Sequence, residues 1–151
     1  MWKLSAFADE AADDIDGQIK SLTDANLKFI DPRGLDGHNI AELPLDVAEA
    51  AQKKLEAAGI AVLMYGSPIG KIDIADDVQI DLDKLSHLGK LKDIFGGDSV
   101  RIFSYYNKAG RPYDQWKAES LDRLKRLRDL AGKLGLKLYH ENESDIFGDR
   151  L

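Results

Sequence analysis

Cysteine is missing from the chain altogether, which rules out disulfide staples, zinc–thiolate centres and cysteine nucleophiles. Long apolar runs are missing too. The hydrophobic stretches have strand length, too short to span a bilayer, and the opening segment Met1–Asp9 lacks the apolar core of a secretory signal. A cytoplasmic location and no membrane partner are therefore expected. Positive charge is in deficit: 21 Lys and Arg face 27 Asp and Glu, for a net charge of −6. Such a surface repels a phosphate backbone, so nucleic acid is not an expected partner. What is present, 151 residues with 44% hydrophobic and 32% charged, has the size and composition of one ordinary domain spanning 1–151.

Apolar periodicity divides that domain into alternating elements. Lys3–Ala8, Leu27–Asp31, Ile60–Tyr65, Val100–Tyr105 and the run from Leu136 read as short buried strands. Between them lie four helical patterns. Asp13 or Asp14 caps the first, whose face is Ile15, Ile19 and Leu22, and Asn26 ends it. Pro44 suits the first turn of the second, which carries Val47, Ala48, Ala51, Leu55 and Ala58 up to Gly59. Leu82, Leu85, Leu88, Leu91 and Phe95 trace the third, closed by Gly96-Gly97, and Pro112 opens the fourth, with Trp116, Leu121, Leu124, Leu127, Ala131 and Leu134 as its stripe before Gly135. The charged run Lys117–Arg128 reads as a solvated helix face. Four βα units and a fifth strand imply an α/β fold with a parallel sheet and right-handed crossovers. Periodicity leaves two architectures open. Length favours an open flavodoxin-like sheet, since a whole barrel takes about 250 residues; the lack of room for a helix after the fifth strand favours an arc of a barrel.

Ligands of parallel α/β proteins bind beyond the carboxyl ends of the strands, and this places the candidate residues. The run Leu136–Glu143 stops its apolar pattern at His140, Glu141, Asn142 and Glu143. An acid in the position of Glu141 must be hydrated, ion-paired or metal-bound once the mouth covers it. Asn142 and Glu143 can bind substrate hydroxyls. His140 alternates away from Glu141, which suits packing better than ligation. Arg33 and Lys71 fall in loops on the same side and can meet a phosphate or carboxylate; Arg101 lies within the fourth strand, where pairing with an interior acid is the alternative. Ser67 and Ser104, at strand ends, can donate to a sugar. Phe103, Tyr105 and Tyr106 can wall a sugar pocket, but strand alternation splits them between the interior and the helix layer, so core packing is expected for Phe103 or its neighbour.

Five segments together resemble the xylose isomerase-like TIM barrels, which include sugar phosphate isomerases and epimerases: Lys3–Glu10, Asp31–Gly37, Gly66–Lys71, Val100–Tyr106 and the His-Glu-Asn-Glu of 140–143. The resemblance implies a half TIM barrel, the N-terminal (βα)4β part, because members of the group continue through three more strands that supply an Asp, a His and a Glu to a metal. It implies that Glu141 is the first metal ligand and the catalytic carboxylate, that the cofactor of the whole barrel is divalent Mn, Zn, Mg or Co, and that the substrate is a sugar or sugar phosphate held by Arg33, Ser67, Lys71, Asn142 and Glu143. This half is expected to bind no metal alone and to be inactive, a folding and assembly module that self-associates through its open sheet edges. An endonuclease IV-like phosphodiesterase is the weaker alternative, because that type resembles a multi-histidine cluster and only three histidines are present.

Overall fold

The structure, a computed structural model, describes residues 2–149. Its barrel strands are short: β1 is Ser5–Ala6, β2 is Phe29–Ile30, β5 is Ala61–Val62, β6 is Met64–Tyr65, β7 is Ser99–Ile102 and β8 is Lys137–His140. The helices are α1 (Ile15–Asp24), α2 (Leu45–Ala58), α3 (Gln79–Phe95) and α4 (Tyr113–Leu134). Asp14 caps α1, its Oδ1 accepting from the Gly17 amide at 2.8 Å. Glycines 59, 96 and 135 close the other three in the left-handed conformation that lacks a Cβ penalty. A small antiparallel hairpin, β3 (Gly34–Leu35) with β4 (His38–Asn39), occupies the expected loop after β2. Asp36 and Gly37 both have positive φ, 49° and 79°, the backbone a two-residue hairpin turn of Asp-Gly type demands.

Strand order decides the architecture. β1 pairs with β2 and β2 with β5, while β6 pairs with β7 and β7 with β8, all in parallel. β5 and β6 are two parts of one strand broken at Leu63. The sheet thus runs in sequence order from first strand to fifth, whereas a flavodoxin-like sheet places its second strand outside its first. Successive right-handed crossovers in one direction put every helix on one face; accordingly α1 packs on α2, α2 on α3 and α3 on α4. Ile30, Val62, Tyr65, Val100 and Ile102 face that layer and meet Leu22, Ala48, Leu55, Leu85, Leu88 and Leu127 in one core.

Two expected details of α4 differ. Leu121 is 40% exposed, one position off the stripe. Inside the charged run, Ser120 and Arg123 are buried: Arg123 donates Nη2–H to Ile74 O at 2.9 Å, pairs with Glu119, and lies over the Tyr105 ring. A long side chain with an aliphatic stem can thread from a helix face to an interior carbonyl, and helical spacing of charges cannot reveal it.

The break at Leu63 is held by Asp31. Leu63 N–H still donates to Ile30 O at 2.9 Å, but Met64 N–H donates instead to Asp31 Oδ1 at 3.0 Å, and Ser5 Oγ–H donates to Oδ2 at 2.7 Å. Val62 and Tyr65 both face the helices, so one extra residue is inserted, a bulge. Burial pushes the Asp31 carboxyl up, against those two hydrogen bonds and the nearby Arg101. Asp31→Ala should cost about 1–3 kcal/mol in urea unfolding, since it strands a main-chain N–H; Ser5→Ala should cost less than about 1 kcal/mol. Equal losses would remove Asp31 from its role at the bulge.

Candidate functional site

At the carboxyl ends of the strands the sheet carries a row of alternating cations and aromatic rings. Strand alternation turns Arg101 of β7 inward, opposite Tyr139 of β8, and the acid two residues later, Glu141, follows on the same side. Arg101 Nη1–H donates to Glu141 Oε2 at 3.2 Å, Nη2–H to Gly66 O at 3.1 Å and Nε–H to Ser67 O at 3.4 Å. Its guanidinium lies 5.0 Å from the Phe7 ring and 5.0 Å from the Phe103 ring. Arg33 stands on the other side of the arrangement, 5.3 Å from the Phe7 ring, and Lys71 Nζ is 4.4 Å from the Phe103 ring. The order is Arg33, Phe7, Arg101, Phe103, Lys71, each contact a cation on a ring quadrupole.

Each cation also has its acid. Arg33 donates Nε–H to Asp9 at 2.8 Å and Nη2–H to Glu10 at 3.3 Å, and the Asp9 bond pushes its guanidinium further up. Lys71 pairs with Glu143 Oε2 at 2.7 Å, while Tyr106 O–H donates to Glu143 Oε1 at 3.3 Å. Lys71 first, then its field and Tyr106, hold the Glu143 carboxyl below the usual carboxylate range. Burial, then the Glu143 charge, pushes the Tyr106 phenol up.

The loop that carries Lys71 is pinned from beneath. Gly70 N–H donates to the buried Asp81 of α3 at 2.8 Å. A Cβ on Gly70 would stand 2.2 Å from Phe103 O, with φ at +86°, so only glycine permits this approach of loop to strand.

The expected site residues are sorted by this geometry. Arg33, Lys71, Glu141 and Glu143 gather on one side with Arg101. Ser67 is fully buried and its hydroxyl donates to Arg101 O, beneath the surface that the cations present. Asn142 is exposed and points along the following segment, its amide reaching Asp149 O at 3.4 Å. His140 turns the other way, Nε2 lying 2.9 Å from Ser104 Oγ. Tyr106, one of the aromatics that can wall a pocket, does reach this face through its bond to Glu143, whereas Phe7 carries no special weight in the sequence, since apolar alternation marks it only as a strand residue; its inward parity from Ser5 was the available signal.

Metal ligation can be tested against these contacts. Among the described residues no three His, Asp or Glu side chains converge as a metal site, and the Glu141 oxygen is engaged by a fixed guanidinium. Among the described residues, Glu141 therefore has no second and third ligand beside it to complete a divalent site.

No family model and no curated protein sequence matches the chain. Solved structures match its backbone. A 3-keto-D-glucoside 4-epimerase from E. coli, in apo form, aligns with TM-score 0.68 at 13% identity over 95% of this chain and 56% of its own. A xylose isomerase-like TIM barrel protein from Mycobacterium smegmatis, in complex with magnesium, gives 0.68 at 16% identity, covering 96% and 58%. The fold is a half barrel of the xylose isomerase-like type. A probable 3-DHS dehydratase from Bacillus anthracis gives 0.68 at 15%, covering 98% and 55%, so one fold serves more than one reaction. The half barrel spans little more than half the length of these proteins, with its five strands in the order a closed barrel needs.

Arg101 and Glu141 are unequal partners, with side chains 9% and 46% exposed. Arg101→Ala leaves two buried carbonyls and an acid unpaired and should cost about 3 kcal/mol or more in denaturant unfolding. Glu141→Gln should cost less than about 1 kcal/mol, as half-exposed ion pairs do. The reverse ranking would show that the acid, not the guanidinium, organises the half barrel here.

Glu143 has a folded pKa below its unfolded one. Its contribution to stability is complete above the ordinary carboxylate range and is lost as pH falls through the folded value. A carboxyl-carbon NMR titration should place Glu143 below the ordinary carboxylate range, and Lys71→Met should return it to that range. An unmoved midpoint in that variant would assign the shift to another cause.

Proposed function

We propose that the chain is the N-terminal half of a barrel that isomerises or epimerises a sugar or sugar phosphate in the cytoplasm, and that the half alone turns nothing over. The observation that carries the reading is the convergence of Arg33, Arg101, Lys71, Glu141 and Glu143 on the carboxyl-end face of a fold shared with an epimerase. Paired carboxylates and cations between aromatic rings suit a polyhydroxyl ligand, because hydroxyls both donate and accept. In such a reaction a carboxylate moves a proton from carbon. A divalent metal, Mn, Zn, Mg or Co, is the expected cofactor of the whole barrel, and Glu141 is the one ligand this half would offer it.

Three protein ligands are usual in a catalytic metal site, so calorimetric titration of the half barrel with Mn²⁺ or Zn²⁺ should show affinity no better than millimolar, with no epimerisation of ketoses or their phosphates. Micromolar binding that disappears in Glu141→Gln would overturn the incompleteness of the site. Titration with D-fructose and with D-fructose 6-phosphate should shift the amides of 66–71 and 141–143. Silence at both loops would sink the sugar reading.

A second reading, a non-catalytic module that self-associates, is favoured by exposed apolar surface. Trp2 is 94% exposed, Leu4 70% and Tyr139 52%, and among the described residues no strand lies beside the outer ladders of β1 and β8. Exposed apolar edges pair with other chains. Leu138 packs on the core, which leaves Tyr139 as the large apolar side chain of β8 exposed to a partner. Light scattering should report a dimer or larger, reduced by Tyr139→Lys. A monomer at high micromolar concentration, unchanged by that substitution, would rule the association out.

A further inference from the structure

The segment after β8 does not trail away from the barrel. It turns back across the carboxyl end of β7 and is fastened at several points. Ile146 is fully buried and bridges to Tyr106 in antiparallel fashion; Phe147 N–H donates to Tyr105 O at 3.2 Å, and Ser104 Oγ–H donates to Phe147 O. The Phe147 ring packs edge-on against Trp116 at 5.8 Å and against Tyr113 at 6.2 Å. Between this strap and the loop that follows β7 lies a cleft walled by Tyr106 and Trp116, with Asn107, Lys108, Asp145 and Asp149 around it. It adjoins the cation row through Tyr106, whose hydroxyl is bonded to Glu143.

The polar groups of the cleft divide into two kinds. Asn107 closes its own turn with Arg111, amide to carbonyl and carbonyl to amide, both at 2.9 Å. Asp149 Oδ2 accepts from the Asp145 amide at 2.9 Å. The Lys108 ammonium and the Asp145 carboxylate differ: neither side chain makes a hydrogen bond or ion pair with another described residue, and Lys108 Nζ lies 5.4 Å from the Tyr106 ring. In the neighbouring row every cation has an acid. Here one donor and one acceptor stand uncommitted beside two half-buried aromatic walls.

We infer that this cleft is a binding subsite for an uncharged pyranoside ring, so that the ligand of the half barrel extends past Glu143 and Tyr106 as a glycoside or oligosaccharide. A sugar ring has a C–H face that lies on an aromatic wall and a rim of hydroxyls that accept from an ammonium and donate to a carboxylate. The charges exclude the competing ligand classes. Among the described residues that line the cleft, phosphate would face the carboxylates of Asp145 and Asp149 with Lys108 as the one cation. A wholly apolar ligand would desolvate Lys108 and Asp145 without replacing their water. The inference rests on the sugar reading of the barrel mouth and adds a second ring position to it.

Trp2 and Trp116 are the two tryptophans, and Trp2 is almost wholly exposed, so Trp2→Phe leaves Trp116 as a fluorescent reporter in the cleft. Titrating that variant with methyl β-D-glucopyranoside should give a saturable change in emission at millimolar concentration. Replacing Lys108 by Gln and Asp145 by Asn, both exposed, should weaken binding about tenfold, the worth of one or two hydrogen bonds. Lys53→Gln, at an exposed position on α2, should leave it unchanged. An emission change equal in the double variant, or reproduced by inorganic phosphate, overturns the subsite. Glucoside-induced shifts at the amides of 66–71 and 141–143 with no response from Trp116 remove the cleft and leave the sugar-binding mouth standing; silence at both removes the two together.

Discussion

The buried guanidinium of Arg101 is the constraint on which the carboxyl-end face depends. A cation taken out of water must have its donors satisfied and its charge balanced, or it costs several kcal/mol. Here the main-chain carbonyls of Gly66 and Ser67, the acid Glu141 and the rings of Phe7 and Phe103 do this together. Those partners come from the first, third, fourth and fifth barrel strands or the loops that follow them. One side chain therefore sets the separation of four strand ends, and the loop bearing Lys71 starts from carbonyls that Arg101 holds.

The same face is charge-paired throughout, which bears on what it can receive. Arg33, Arg101 and Lys71 meet Asp9, Glu10, Glu141 and Glu143, so no large field of either sign develops. A site of this kind distinguishes ligands by hydrogen-bond geometry more than by net charge. The proposed polyhydroxyl ligand suits that arrangement, because hydroxyls both donate and accept. The dehydratase of like backbone shows why the reaction has to be argued from side chains.

Asp31 and Asp81 show a quieter use of acids in the scaffold. Each accepts a main-chain N–H that lacks a regular ladder partner, Asp31 from Met64 at the strand bulge and Asp81 from Gly70 in the loop above. Burial raises both carboxyls, yet each prevents an orphaned buried amide, whose cost is of similar size. The bulge and the glycine turn can therefore persist beside the candidate site.

Alternation of strand and helix, the caps at Asp14, Gly59, Gly96 and Gly135, and the carboxyl-end position of Glu141 and Glu143 were legible in the amino-acid order, because they follow from local backbone preferences and from periods of two and 3.6 residues. The Asp36-Gly37 hairpin was legible in principle from its turn dipeptide. Strand order was not: an open doubly wound sheet and a barrel arc use the same local pattern, and only the packing of all helices on one face separates them. Nor could spacing place Arg123 in the core, turn Ser67 beneath the surface, or assemble Arg33, Phe7, Arg101, Phe103 and Lys71 into one row. Those are contacts between residues tens of positions apart, fixed by how strands align and where a buried charge finds its partners, and they exist only once the chain has folded.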